Sequence, residues 1–295
     1  MNSPRPMIFG EVLFDRFPDG SAVLGGAPFN TAWHLQGFGA APLFVSRVGA
    51  DAAGARVRQA MLDWGMDTAG LQTDPQRATG AVDVSLVDGE PRYRIDPDQA
   101  YGHIEAAGLD RFATPALLYH GSLALWGGAS RAALDALVRR YQAPIFLDVN
   151  LRAPWWSAAD VTAWMDRAAW VKLNLDELER LESDDGDPVE RAARLCRRRD
   201  LRRLVVTRGG EGAFAVDQQG GHATVRPVVA ATVVDTVGAG DAFASVLMLG
   251  LLSAWGIALT LRRAQDFASA MVGVHGATVA DPGFYQRFLA AWGEP

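Results

Sequence analysis

Short apolar runs alternate with stretches of helical periodicity along most of this chain, and no other feature of the sequence restricts its fold so strongly. Residues 7–14, 43–48, 117–121, 145–149, 170–173 and 204–207 have the length and apolar content of strands. Between most of them, 31–38, 52–64, 131–141 and 188–198 repeat apolar residues at helical spacing. That alternation implies an α/β fold with parallel strands joined by helical crossovers, and with helices covering both faces of the sheet. Ligands of such sheets bind at the C-terminal ends of the strands, so functional residues are expected there.

One region departs from the pattern. Residues 79–95, TGAVDVSLVDGEPRYRI, alternate apolar and polar positions on either side of Asp88-Gly89, as an antiparallel hairpin with one exposed face does. The hairpin needs a partner, and the early strands flanking Asp19-Gly20 supply one. Segments 13–24 and 79–102 are therefore expected to form a small β-sheet lid, closing over a site or contacting a second subunit. Beyond Thr232 the sequence changes to two long apolar helices, near 239–255 and 259–275. No repeat or low-complexity linker divides the chain, which reads as a single domain over 1–295 with the lid inserted in it.

Composition removes several classes of function. With 49% hydrophobic and 21% charged residues the chain falls in the soluble globular range. It has no run of ~18 apolar residues suited to a membrane span. The opening MNSPRPMIFGE has prolines where a secretory signal needs an apolar run, so a cytoplasmic protein is expected. A net charge of −6 argues against a nucleic-acid coat, whose affinity comes from dense Lys and Arg. The basic stretch 197–203 reads as a helix C-terminus whose cations suit the macrodipole. Cys196 is the only cysteine, which excludes an intramolecular disulfide and a cysteine-rich metal site. His34, His103, His120, His222 and His275 are scattered without metal-ligand spacing, so packing or surface roles are expected for them.

The most informative segment is Asp235-Thr236-Val237-Gly238-Ala239-Gly240-Asp241-Ala242-Phe243. Two glycines meet the start of an apolar helix, so unpaired amides and the positive helix end converge where an anion can sit. Asp241 falls in the first turn, where a carboxylate could accept the proton of a hydroxyl nucleophile while the amides hold phosphoryl oxygens. The plain alternative is an ordinary loop with a helix-favouring acid. A dinucleotide fingerprint fits less well, because Phe243 stands where its third glycine belongs. A Walker A loop is excluded, since it needs Gly-Lys and the chain's one lysine, Lys172, follows Val171.

This nonapeptide, DTVGAGDAF, resembles the C-terminal signature of the ribokinase-like (PfkB-type) carbohydrate kinases. Further segments resemble family motifs in the same order: Gly25-Gly26-Ala27-Pro28-Phe29-Asn30 with Ala32, Leu35 and Gly39; Val48-Gly49-Ala50-Asp51 with Gly54; Asn174-Leu175-Asp176-Glu177; and Val206-Thr207-Arg208-Gly209 with Gly212. Within the family, Asp148-Val149-Asn150-Leu151-Arg152 followed by Trp155 resembles a segment of fructokinases and 2-keto-3-deoxygluconate kinases, and Gly10-Glu11 with Asp15 and His120-Gly121-Ser122-Leu123-Ala124-Leu125 resemble fructokinases more than ribokinases. Fructokinases often carry Gly-Ala-Asp after the lid hairpin. Here the corresponding stretch is Asp98-Gln99-Ala100-Tyr101, which leaves the hexose open.

The resemblance implies a three-layer sandwich and a kinase that moves the γ-phosphoryl group of ATP to a sugar hydroxyl, with fructose as first choice. Ketodeoxygluconate and nucleoside acceptors are the alternatives within the family, and a non-catalytic sugar-binding regulator is the alternative of another class. It also implies the site. Asp241 is the base, and Gly238, Ala239 and Gly240 supply amides to the phosphoryl group. Asp15, Gly25, Gly26, Asn30 and Arg152 bind sugar. Asn174, Thr207, Gly209 and Gln265, with the Gly238 and Gly240 amides, are expected on the nucleotide side. Asn174 and Glu177 organise Mg2+ through water, although N-x-x-E is also a helix-capping signature. Asp235 backs a monovalent cation, K+ in relatives. The lid hairpin implies a homodimer, because a sheet edge can pair between subunits.

Overall fold

The computed structural model describes residues 5–87, 90–183, 185–227 and 233–293. The first half of the chain runs β1 (Met7–Phe9), β2 (Leu13–Arg16), β3 (Ala22–Gly25), α1 (Ala27–Gly37), β4 (Leu43–Gly49), α2 (Ala52–Asp63), β5 (Leu71–Asp74), β6 (Gly80–Val87), β7 (Glu90–Ile95), β8 (Leu118–His120), α3 (Gly128–Tyr141) and β9 (Ile145–Asp148). It continues with α4 (Ala158–Met165), β10 (Trp170–Asn174), α5 (Leu175–Leu181), α6 (Pro188–Arg198), β11 (Arg203–Thr207), β12 (Ala213–Asp217), β13 (His222–Val225), α7 (Ala239–Leu252), α8 (Ile257–Met271) and α9 (Pro282–Trp292).

Nine strands form the central sheet in the order β13-β12-β11-β10-β9-β8-β1-β4-β5. From β11 to β5 neighbours are parallel, whereas β12 and β13 are antiparallel. Alternation along each strand sorts side chains into two apolar layers. Ile8, Phe44, Tyr119 and Phe146 face one core with α1, α2, α7, α8 and α9. Met7, Phe9, Val45, Leu118, Ile145 and Leu147 face the other, with α3, α4, α5 and α6. These are the three layers that the alternation of elements implies. Cys196 belongs to the second core, fully buried, its thiol donating to the Leu201 carbonyl at 3.3 Å.

The expected strand at 7–14 is two strands in two different sheets. The chain leaves β1 at Gly10, whose φ is +155°, where an added Cβ would lie 2.4 Å from Pro28 Cγ. Residues 10–12 then carry it into β2, which pairs with β3 and, in parallel, with β6. The small sheet has the order β3-β2-β6-β7, which is the partnership expected for the hairpin. The Asp88-Gly89 turn lies outside the described residues. Leu13, Val82, Tyr101, Leu123 and Ala124 pack beneath this sheet, and the Gln99 amide extends it by bonding both the N–H and C=O of Ala81, at 2.8 and 2.7 Å.

Both C-terminal helices end earlier than their apolar periodicity suggests. α7 stops at Leu252, followed by Ala254 at φ +54° and Gly256. α8 stops at Met271, and the Val272 carbonyl accepts from the amides of Val234 and Asp235 at 2.9 and 3.2 Å. The segment after α8 therefore serves as a backstop for the loop that enters α7.

Candidate active site

Gly238 is the N-cap of α7, in the left-handed region at φ +78°, and the helix has no side-chain cap. A Cβ there would stand 2.4 Å from Ala277 Cβ, so only glycine lets the loop press against that backstop. Asp235 holds the loop from within: Oδ1 accepts from Val237 N at 2.9 Å and Oδ2 from Gly276 N at 3.1 Å. The uncapped first-turn amides of α7 are thereby fixed in place, with Gly240 exposed at the helix tip.

Asp241 follows on the same turn, and Asn30 Nδ2 on the buried α1 donates to its Oδ2 at 2.8 Å. Burial pushes this carboxyl up to about 6. The Asn30 hydrogen bond opposes that rise, Asp148 adds to it, and Lys172 and Arg152 work against it. Beneath Gly240 lies a buried ion pair: Lys172 Nζ donates to Asp148 Oδ1 at 2.9 Å and Oδ2 at 3.0 Å. Burial disfavours the ammonium, but Asp148 outweighs it and the lysine pKa is raised. In the sequence Asp148 stands only as the first residue of the Asp148–Arg152 segment with no role of its own, and Lys172 is no candidate at all. The available signals were a lone lysine and an acid at the end of a parallel strand.

The sugar-side residues converge on the same spot. A Cβ on Gly25 would lie 3.5 Å from Asp15 Oδ2 and 3.9 Å from Asn30 Oδ1, so bare backbone, carboxylate and amide surround one small space. Asn30 Oδ1 is buried with no hydrogen-bond partner, an acceptor still open. Gly26, at φ +109°, brings α1 against the Glu11 carbonyl, 2.9 Å from where a Cβ would stand. Arg152 is exposed on the loop after β9, and its charge acts on Asp15, Glu11 and Asp241 together. Burial raises Asp15 against that cation. Tyr101 is buried under the small sheet, while Asp98 faces solvent and pairs with Arg77 and His103.

Glu11, only part of a motif in the sequence, sits in the break between the two sheets at 3% exposure, with Oε2 unpartnered. Burial drives it up to about 7; its own backbone amide and Arg152 oppose this, Asp241 adds to it, and the Ala124 amide opposes it. Because the folded pKa exceeds the unfolded one, its stabilising contribution is complete below the unfolded value and disappears as pH rises through about 7. Glu11→Gln should therefore stabilise the protein more at pH 8.5 than at pH 5.5. Thermal melts at the two pH values check this, and equal shifts would refute it.

On the other side, Asn174 caps α5 in a full capping box: Glu177 N donates to Asn174 Oδ1 at 2.9 Å, and Asn174 N to Glu177 Oε2 at 2.8 Å. Glu177 Oε1 also accepts from Leu151 N at 2.7 Å, so one buried carboxylate fastens the loop carrying Arg152 to the end of β10. Thr207 pairs with Asn174 across β10 and β11. Gly209, at φ +53°, begins the turn that follows, and an open cleft of about 550 Å3 lies there, lined by Arg208, Gly210, Glu211, Arg226 and Pro227. Gln265 is buried on α8 and bonds Ser269 Oγ at 3.0 Å, within its own helix rather than to the loop before α7. No cluster of three or more His, Cys, Asp or Glu able to hold a metal occurs among the described residues. The acids present suit a magnesium held by phosphates and water rather than by a protein cage.

A half-buried carboxylate beside an uncapped helix tip, at the C-terminal ends of a parallel sheet, is the frame of a nucleotide-dependent phosphotransferase. The chain belongs to the pfkB family of carbohydrate kinases, whose profile matches residues 9–282. It is 34% identical over 261 residues to a fructokinase of Klebsiella pneumoniae, covering 83% of each chain. A fructokinase of Salmonella typhimurium is 31% identical over 305 residues, covering 96% of this chain and 97% of the relative. Among solved structures, fructokinase from Vibrio cholerae O395 in fructose, ADP and calcium ion bound form matches with a TM-score of 0.83 at 25% identity, over 96% of this chain and 98% of that one. No helix among the described residues is long and apolar enough to cross a membrane.

Proposed function

We propose that this carbohydrate kinase phosphorylates fructose, with Asp241 as general base. The observation that carries the assignment is the Asn30–Asp241 contact at 2.8 Å, which joins the Asp15–Gly25–Asn30 cluster to the anion-binding end of α7. The sugar lies in that cluster, and its reactive hydroxyl faces Asp241. Its oxygen forms a bond to the γ-phosphorus, the bond to the oxygen bridging to ADP breaks with its electron pair going to ADP, and the proton passes to an Asp241 oxygen. Amides of Gly238, Ala239 and Gly240 hold the phosphoryl oxygens through transfer. Thr207 and Gly209 border the remaining phosphates. Asn174 and Glu177 would hold magnesium through water, and the ion would supply positive charge to the phosphate oxygens. A solved relative is named as holding potassium with fructose and ADP. The Asp235 clamp is where we place a monovalent cation in this chain.

Arg152, exposed beside Asp15, favours a second acceptor, a sugar acid such as 2-keto-3-deoxygluconate, whose carboxylate a guanidinium would take up. ADP release measured with fructose, 2-keto-3-deoxygluconate, ribose and adenosine separates the readings. Fructose is expected to lead in kcat/KM by about 10,000-fold over the acceptors that leave the site's polar groups unpaired. A sugar acid turning over faster than fructose would reassign the acceptor.

The small sheet is our candidate for a lid and a dimer surface, with Phe17 exposed in the turn after β2 and Val23 exposed on the outer strand β3. Light scattering should give twice the mass of the chain. A monomer mass at concentrations that support full activity would remove the interface.

A further inference from the structure

We propose that Lys172 is a further catalytic residue, whose ammonium, fixed by Asp148 beneath Gly240, contacts the phosphoryl group during transfer. The inference rests on the reading of residues 238–240 as the phosphoryl site. Lys172, in the middle of β10, is the direct cross-strand partner of Asp148, the last residue of β9. The ammonium has three donors, and both of its recorded bonds go to the two Asp148 oxygens, which leaves one. That nitrogen lies 3.6 Å from where a Cβ on Gly240 would stand. Among the described residues, Lys172 Nζ is the one atom that a Cβ on Gly240 would meet within 4 Å, apart from its chain neighbours and its own helix backbone. The lysine side chain keeps 8% of its surface accessible, whereas Asp148 keeps 1%, so the cation is the more accessible member of the pair.

A purely structural role explains this arrangement poorly. The backbone ladder already registers β9 and β10, and the neighbouring positions Phe146, Leu147, Val171 and Leu173 are buried and apolar. Replacing a buried ion pair in such surroundings by packed apolar residues is often neutral or stabilising. The pair is thus not required by the sheet. The choice of cation points the same way. Of the 28 Lys and Arg residues, Lys172 is the only lysine. A guanidinium is planar and spreads its charge over a fork of donors, while an ammonium is a compact point charge that fits behind a glycine loop.

The single lysine also makes the test direct, because protein labelled with 15N at the lysine ε-nitrogen carries one side-chain signal. With magnesium and sugar present, ADP should leave that signal near its free position, and a non-hydrolysable ATP analogue should shift it. The same signal position with ADP and with the analogue, when calorimetry shows both bound, would overturn the proposal. In parallel, the neutral pair Lys172→Gln with Asp148→Asn should lower turnover about 100-fold, the loss typical of one removed oxyanion donor. Its KM for sugar should stay within about threefold, as expected for an interaction made in the transition state. Wild-type turnover in the paired variant would also overturn the proposal, and if that variant fails to fold the labelled wild type decides alone. Failure of the underlying site reading looks different: Asp241→Asn would then keep its turnover, whatever the lysine signal does.

Discussion

Asp241→Asn is expected to lower turnover by about 100-fold to 10,000-fold, the range a positioned general base contributes, while sugar and ATP still bind. Asparagine keeps the shape of the side chain and can still meet Asn30, so the first turn of α7 need not move. What disappears is the proton acceptor. Single-turnover phosphorylation with binding followed by calorimetry separates the two effects, and near-normal turnover would remove Asp241 from the mechanism. The wild-type enzyme should also lose kcat/KM as pH falls through about 6, because burial holds the carboxyl there and only the ionised form accepts a proton. The sign for stability is the opposite. A carboxyl whose folded pKa lies above the unfolded one weakens the fold as pH rises through the folded value, so Asp241→Asn should be at least as stable as wild type at pH 8.

Lys172→Met alone is expected to destabilise the protein by about 3–5 kcal/mol, the cost of leaving one member of a buried ion pair uncompensated. Asp148 is 1% exposed and would keep its charge with no cation within reach of a hydrogen bond, or take up a proton. The urea midpoint reports the loss directly. The neutral Lys172→Gln, Asp148→Asn pair should recover most of it, since neither charge then remains to be solvated. An unchanged midpoint in Lys172→Met would show that solvent reaches Asp148 after substitution.

Much of the fold was legible because the layers follow from periodicity. The runs 43–48 and 204–207 fall on β4 and β11, and 188–198 coincides with α6. β13 was missed because His222–Val225 is a half-exposed edge with no apolar run, and β5 because only Leu71 and Asp74 of its four residues are buried. The 7–14 run misled for a different reason. Apolar content cannot register a turn whose requirement is the Gly10–Pro28 approach, a contact between residues 18 positions apart. In the site, motif spacing brought out Asp15, Gly25, Asn30 and Asp241, which the structure gathers. It could not bring out Lys172 or Glu11, whose weight comes from burial and from neighbours distant in sequence. Gln265 lies on the expected helix, where its amide donates to Ser269 Oγ.

The packing of α1 against α7 bears on how this protein is made. Residues 27–35 of α1 are all buried, and much of what buries them comes from a helix that starts at Ala239. A ribosome adding about 5–20 residues per second delivers Asp241 to Asn30 roughly 10–40 seconds after Asn30 itself has been joined to the chain. Through that interval α1 can rest on β1 and β4 but lacks the cover that α7 brings. The sugar half of the cleft is synthesised long before the base that will use it.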